Sequence, residues 1–470
     1  MSFADKLTEI VGDNHVLTGQ DCAKYASDWT GKYVGAPLAV VRPASTDELS
    51  AVMALAYQTA TPVVPVSGNT GLAGGTYAKD ALIISVERMN RIREIRADAR
   101  VAIVEAGVIL DSLHRAAEPH DLIFPLYFGA RGSAMIGGVL STNAGGSNVL
   151  RYGNTRALCL GLEVVLADGR VMDLMTELHK DNSGYDLRDL FIGSEGTLGI
   201  ITAAVLKLSP KPLAYATAMV ATRDVDDALT LLNRLQQASG GAVEAFEYMP
   251  GDYVRQHMAR FPKARAPFDV PHEVNLLVEV GATAKRDAEL ADDGSIPVVS
   301  QLQDTLSGML DEGSIIDAVV AQNDAQRAEM WARREQAAEV QLQNPPHIIN
   351  DIALPLDRLK TFLDRVESAL QEIDKGATSS IVAHLGDGNV HYVVYPVSHD
   401  AAVHDAIVER LEEIVLELGG SFSAEHGIGL SKKLSMARRK NKVAVQAMRA
   451  IKAALDPKGI MNPGKVLPDL

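Results

Sequence analysis

The stretch "HLGDGNVHYVV", residues 384 to 394, sets two of the chain's 12 histidines around a Gly-Asp-Gly-Asn turn. Asp387-Gly388 is a strong two-residue hairpin signal, because a type I′ turn needs positive φ at both central positions. "SIVAHL" before it and "VHYVV" after it are rich in β-branched residues, so the spacing predicts two strands with Leu385 facing Val390 and His384 facing His391. Directly opposed side chains carry Cβ atoms roughly 5 Å apart on one face, a separation from which two imidazoles can converge on one metal ion. Two ligands alone are an incomplete metal site. The pair reads either as part of a metal centre whose third ligand lies elsewhere or as two hydrogen-bonded histidines on a hairpin.

Glycine signals a second kind of chemistry. "PVVPVSGNTGLAGGTY" follows a strand and carries glycines at 68, 71, 74 and 75, and "GARGSAMIGGVLSTNAGGSNVLRYG" has seven more between 129 and 153. No lysine stands in a P-loop position and no G-x-G-x-x-G opens a helix, so both common nucleotide motifs are absent. What remains is a nest of backbone N–H groups able to cradle a pyrophosphate, open to approach because glycine has no side chain. Each loop taken alone reads equally as a structural turn.

Elements able to hold these segments alternate along the chain. "LAVVRP", the capped helix "STDELSAVMALAYQTA", then "TPVVPVSG", "LIISV" and "VAIVEAGV" predict an α/β or α+β domain. "LGLEVVLADGRVMDL" reads as a hairpin around Asp168-Gly169. Pro210 and Pro212 mark a boundary, beyond which strands such as "AYATAMVA", "AVEAFEYM" and "EVNLLVEVGA" alternate with amphipathic helices. That pattern predicts an α+β domain around a mainly antiparallel sheet. Three segments are expected: 1–212, 213–420, and 421–470 returning to the first domain.

Composition narrows the function. A chain of 470 residues with 47% hydrophobic and 22% charged residues is an ordinary globular protein of more than one core. Its formal charge of −15 argues against nucleic acid or an anionic membrane as partner. Cys22 and Cys159 are the only cysteines, which fits a reducing cytoplasm. No signal peptide and no apolar run of about 18 residues is visible.

"PVSGNTGLAGG", "GSAMIGGVLSTNAGGSNVLRYG", "GSEGTLGIIT" and "MNPGK", in this order, resemble the FAD-dependent vanillyl-alcohol oxidase and p-cresol methylhydroxylase superfamily over nearly the whole chain. "HLGDGNVH" with "SAEHGIG" is similar to its D-2-hydroxyacid dehydrogenase branch, which includes D-lactate and D-2-hydroxyglutarate dehydrogenases. The resemblance implies an α+β, two-part FAD-binding domain of the p-cresol methylhydroxylase type joined to the substrate domain. It implies FAD contacts from Ser67, Gly68, Asn69, Thr70 and Gly71, from Gly132, Ser133, Gly137 and Gly138, and from Asn143, Gly145 and Gly146. Glu195, Gly196, Gly199, Ile201 and Asn462 are implied to approach the cofactor as well. Some superfamily members attach FAD through a histidine in the first loop, and none stands here, so FAD is expected to be non-covalent.

The resemblance also implies a third metal ligand, Glu425, completing His384 and His391 around zinc or manganese, with His426 as general base on the substrate hydroxyl. Hydride from C2 then passes to flavin N5, giving a 2-oxo acid. Arg334, in the helical "QRAEMWARREQAAEV", shares a face with Trp331 and Ala338 and is implied to clamp the substrate carboxylate, while Arg333 reads as an exposed helix arginine. Where 2-hydroxyglutarate enzymes carry a hydroxyl residue, a lysine and an asparagine, this chain has Ala338, Ile349 and Val393. An unpartnered second carboxylate is costly to desolvate, so the substrate is expected to be a monocarboxylic D-2-hydroxy acid such as D-lactate, with D-2-hydroxyglutarate as the alternative. Without a nicotinamide motif, the expected acceptor is an electron-transfer flavoprotein or a quinone. A homodimer is the commonest closed assembly. A non-catalytic electron-transfer subunit and a metal hydrolase are the rival readings.

Overall fold

The computed structural model describes residues 2–343 and 345–469. The chain forms two compact units, one of Met1–Gly145, Gly153–Pro210 and Glu425–Leu470, the other of Gly146–Tyr152 and Lys211–Ala424.

The first unit holds two main sheets and a short pairing of Leu122–Ile123 with Ser209–Pro210. In one, Ala39–Val41, Leu82–Ser85 and Val63–Val66 run parallel, with Val16–Leu17 antiparallel at the edge. Parallel strands need a crossover. The helix Thr46–Gln58 carries the chain from Ala39–Val41 to Val63–Val66, the strands on either side of Leu82–Ser85, and Ser45 caps it by accepting from the Glu48 amide at 3.2 Å. In the other sheet five antiparallel strands follow the order Ile92–Arg96, Val101–Glu105, Ile200–Lys207, Cys159–Val165, Val171–Leu174. The last two form the hairpin expected around Asp168-Gly169.

The second unit is built on a seven-stranded antiparallel sheet in the order Asp317–Val320, Ala214–Thr222, Val274–Ala282, Val243–Pro250, Thr378–His384, Asn389–Tyr395, Ile348–Ala353. The α+β class and the mainly antiparallel second sheet are as the sequence predicts. Alternation along each strand divides the side chains between two cores. Val220, Val278, Phe246, Ala383 and Tyr392 meet Leu231, Leu302, Phe362 and Leu411 of four helices on one face. Met219, Leu277, Met249 and Val382 meet Tyr253 and Met330 on the other. By the same alternation that second face carries Glu279, Glu247, His384, His391 and Asp351. One side of the sheet is therefore mainly apolar and stabilising, and the other holds the titratable groups.

The helix expected through "QRAEMWARREQAAEV" is two helices. Asp324–Glu335 ends and Ala337–Gln341 begins at Gln336, whose φ of −81° and ψ of 9° break the helical repeat. Trp331 and Arg334 thus lie on one helix and Ala338 on the next.

Candidate active site

The histidine hairpin is wider than predicted. His384 pairs with Asn389 and Val382 with His391, leaving Leu385–Gly388 as the loop. The cause is local. The His384 carbonyl accepts from the amides of both Asp387 and Gly388, at 3.2 and 3.1 Å, while Leu385 is drawn into the apolar core and the Gly386 amide bonds the Phe246 carbonyl. Gly388 has φ +81°, and a Cβ there would lie 2.1 Å from the Leu354 carbonyl oxygen. The register differs from the predicted one by two residues, which keeps both histidines on one face. They are diagonal neighbours with ring centroids 5.5 Å apart and planes at 79°.

Two acidic residues that sequence reasoning missed complete this face. Asp351 stands opposite His391 in the sheet, with its Oδ1 3.8 Å from His391 Nδ1, and that oxygen accepts from Asn389 Nδ2 at 2.9 Å. His384, His391 and Asp351 thus share one face of the second unit's sheet. The Ala424 amide donates to the Asp351 carbonyl at 3.2 Å, and Glu425 and His426 follow Ala424 in sequence. Two imidazoles and a carboxylate are donor types that zinc or manganese accepts.

Glu247 is the second missed residue. It pairs with His384 across the sheet, and its carboxylate lies 2.8 Å from His384 Nδ1 and accepts from Arg334 Nε at 2.7 Å. Arg334 Nη2 is 3.2 Å from His384 Nε2. Burial alone would push the Glu247 carboxyl up, but the charges and hydrogen bonds of His384 and Arg334 outweigh it and hold the group below the usual carboxylate range. A charged residue inside the apolar run "AFEYM" was the available signal.

Arg333 is not exposed. It is buried, its guanidinium bonds the Arg265 carbonyl, and its own carbonyl accepts from Tyr253 Oη at 2.6 Å. Ile349 and Val393 oppose each other on the face of Asp351 and His391, whereas Ala338 is exposed. Ser380 faces Val393 from the other side and bonds Gln341 Nε2 at 3.1 Å. Trp331 turns to Glu279, donating from Nε1 at 2.9 Å.

In the first unit the glycine loops converge. A Cβ on Gly68 would lie 2.2 Å from the Ser133 carbonyl oxygen, and one on Gly138 would lie 3.1 Å from Ser67 Cβ. At Gly71 and Gly132 a Cβ would meet nothing within 4 Å, which is room for a ligand against bare backbone. Asn69 and Asn143 adopt left-handed φ of 52° and 50°. Glu195, at φ 52°, accepts from the amides of Ile428 and Gly429 at 2.7 and 2.8 Å, and burial raises its pKa. Asn462 Nδ2 donates to the Gly75 and Glu195 carbonyls at 3.1 and 2.8 Å. Its Oδ1 is buried and has no hydrogen-bond partner among the described residues. Such an acceptor suits the N–H groups of a flavin dinucleotide, so the loops fit FAD. A Cβ at Gly199 would lie 2.7 Å from Val164 Cγ1, and Ile201 pairs with Val164 in the sheet. Gly146 groups with the second unit.

Comparison with known proteins agrees with this geometry. The family described as "FAD binding domain" matches residues 37–175, and "FAD linked oxidases, C-terminal domain" matches 211–466. The mitochondrial D-2-hydroxyglutarate dehydrogenase of Bos taurus is 36% identical over 446 residues, covering 94% of this chain and 79% of that one. The chain belongs to the D-2-hydroxyglutarate dehydrogenase family of FAD-linked oxidases. A second member, the D-2-hydroxyglutarate dehydrogenase of Xanthomonas citri pv. viticola, is 35% identical over 454 residues, 95% of this chain and 92% of that one. A crystal structure of p-cresol methylhydroxylase shares the fold at a TM-score of 0.74 with 16% identity, over 99% of this chain and 96% of that one. As a family member the chain is an oxidoreductase. Among its described residues, no helix is long and apolar enough to cross a membrane.

Proposed function

We propose that the chain oxidises a D-2-hydroxy acid to the 2-oxo acid with FAD and a divalent metal ion, and passes the electrons to a flavoprotein or quinone. The observation that carries this reading is the group of His384, His391 and Asp351 on one sheet face of an FAD-linked oxidase. His384 and His391, whose rings adjoin, would hold the ion with Glu425, and Asp351 lies beside His391. When bound, FAD supplies the hydride acceptor and the metal supplies positive charge that favours the alkoxide form of the substrate. His426 takes the hydroxyl proton, the work an imidazole does best near neutral pH. Arg334 receives the substrate carboxylate through its guanidinium edge.

Ile349 and Val393 on the face of His391 favour a substrate with an apolar distal end, such as D-lactate. D-2-hydroxyglutarate is the second reading, supported by the names of the relatives and by Ser380 and Gln341 beside Val393. Anaerobic bleaching of the flavin against a panel of D- and L-2-hydroxy acids, before and after dialysis against a chelator, is the test. We expect bleaching by D-isomers only, lost on chelation while FAD stays bound. Full reduction in metal-free protein would refute the metal's role, and bleaching by none of the acids would refute the reaction.

A further inference from the structure

Glu247 is a carboxylate with 1% exposure in the middle of a sheet, a costly place for a charge unless it is needed and partnered. Its partners are the side chains assigned above to metal and substrate, His384 and Arg334. One contact is set by the sheet itself: Glu247 and His384 are directly opposed residues of adjacent strands, so the 2.8 Å approach to Nδ1 follows from register. The other is set by the helix Asp324–Glu335, which delivers Arg334 Nε to the same carboxylate at 2.7 Å.

The chemistry of these contacts is specific. An ionised carboxylate only accepts hydrogen bonds, so a bond to His384 Nδ1 requires the proton on Nδ1, and Nε2 then bears the lone pair, which here accepts from Arg334 Nη2 at 3.2 Å and would turn to a bound ion. A guanidinium bonded through Nε has its plane fixed, and its remaining N–H groups point along one edge. We propose that Glu247 is a positioning residue: a single carboxylate sets both the tautomer of His384, making Nε2 the ligand atom, and the plane in which Arg334 meets the substrate carboxylate. The inference rests on the roles proposed for those two residues. It adds that metal affinity and substrate affinity are tied to one buried group that touches neither ligand.

The test uses the FAD-loaded enzyme and its Glu247→Gln variant. The amide keeps the shape but has one acceptor where two were used. Titration with Zn²⁺ or Mn²⁺ against a chromophoric chelator should show affinity weakened about 10- to 100-fold, as for other groups that orient metal-bound histidines. The KM for the D-2-hydroxy acid should rise about ten-fold, the value of one charge-assisted hydrogen bond, with the flavin spectrum unchanged. Side-chain ¹⁵N resonances of histidine-labelled protein, with His384→Gln used for assignment, read the tautomer directly. Wild type should show His384 protonated on Nδ1, and the variant a mixture. The wild-type reading does not depend on the Glu247 variant and needs no bound metal. If wild type binds neither metal, the metal reading fails while tautomer and KM still judge Glu247. An Nε2-protonated His384 in wild type, or unchanged KM and metal affinity in the variant, overturns the proposal.

Discussion

Ile349→Lys probes the distal end of the substrate. Ile349 sits opposite Val393 and two residues before Asp351, so its side chain projects from the face that carries His391. It is 40% exposed, and a lysine there keeps its ammonium in water until a substrate arrives, its stem lying along Val393. A charge-assisted hydrogen bond to a second carboxylate is worth about 1.5–3 kcal/mol. Exposure places this one at the low end, about 1.5 kcal/mol, which is roughly ten-fold in kcat/KM. The assay is anaerobic flavin reduction by D-lactate and by D-2-hydroxyglutarate in both proteins. The ratio of the two kcat/KM values should move about ten-fold towards the dicarboxylate. A ratio that does not move would show that the distal end lies elsewhere. A strong preference of the unaltered enzyme for D-2-hydroxyglutarate would refute the apolar reading and point to Ser380 and Gln341 instead.

His426→Ala should lower kcat by about two to four orders of magnitude with an unchanged flavin spectrum, and near-normal turnover would mean that another group takes the proton. Lys465, 6% exposed and donating to the Tyr77 carbonyl at 2.8 Å, is pushed down to about 8 by burial, with Lys433 adding repulsion. Its folded pKa lies below its unfolded value, so between about pH 8 and 10 the unfolded chain holds the extra proton and stability rises with pH. In urea titrations, wild type should gain ~2 kcal/mol relative to Lys465→Met across that window; a pH-independent difference would exclude the effect.

Much of this architecture was legible because local signals agreed with tertiary packing. Ser45 capped the helix it was expected to cap, and the alternating strands beyond Pro212 formed the antiparallel sheet. The failures have a common cause, in that tertiary demands overrode local preference. Asp387-Gly388 favours a two-residue turn, but the core's claim on Leu385 widened it. Arg333 and Arg334 are adjacent polar residues on a helix, and only the packing around Tyr253 and Arg265 shows that both are buried. Glu247 and Asp351 went unnoticed because a charge inside an apolar strand carries no information about its partner, and His384 lies 137 residues from Glu247. Glu425 was reached through resemblance alone, since no spacing rule links it to the hairpin.

The hairpin's two-residue departure from its expected register has a consequence for how this chain can change. Pleated strands count in twos, so what the turn conserves is parity rather than length. Gaining or losing a pair of residues between His384 and His391 leaves both rings looking the same way. Gaining or losing one sends one of them into the apolar layer of Phe362 and Tyr392 and brings a valine or an alanine round in its place. Length variation in this turn therefore keeps both rings on one face only in even steps, and the chemistry above it is inherited through an arithmetic that the loop's own residues do not display.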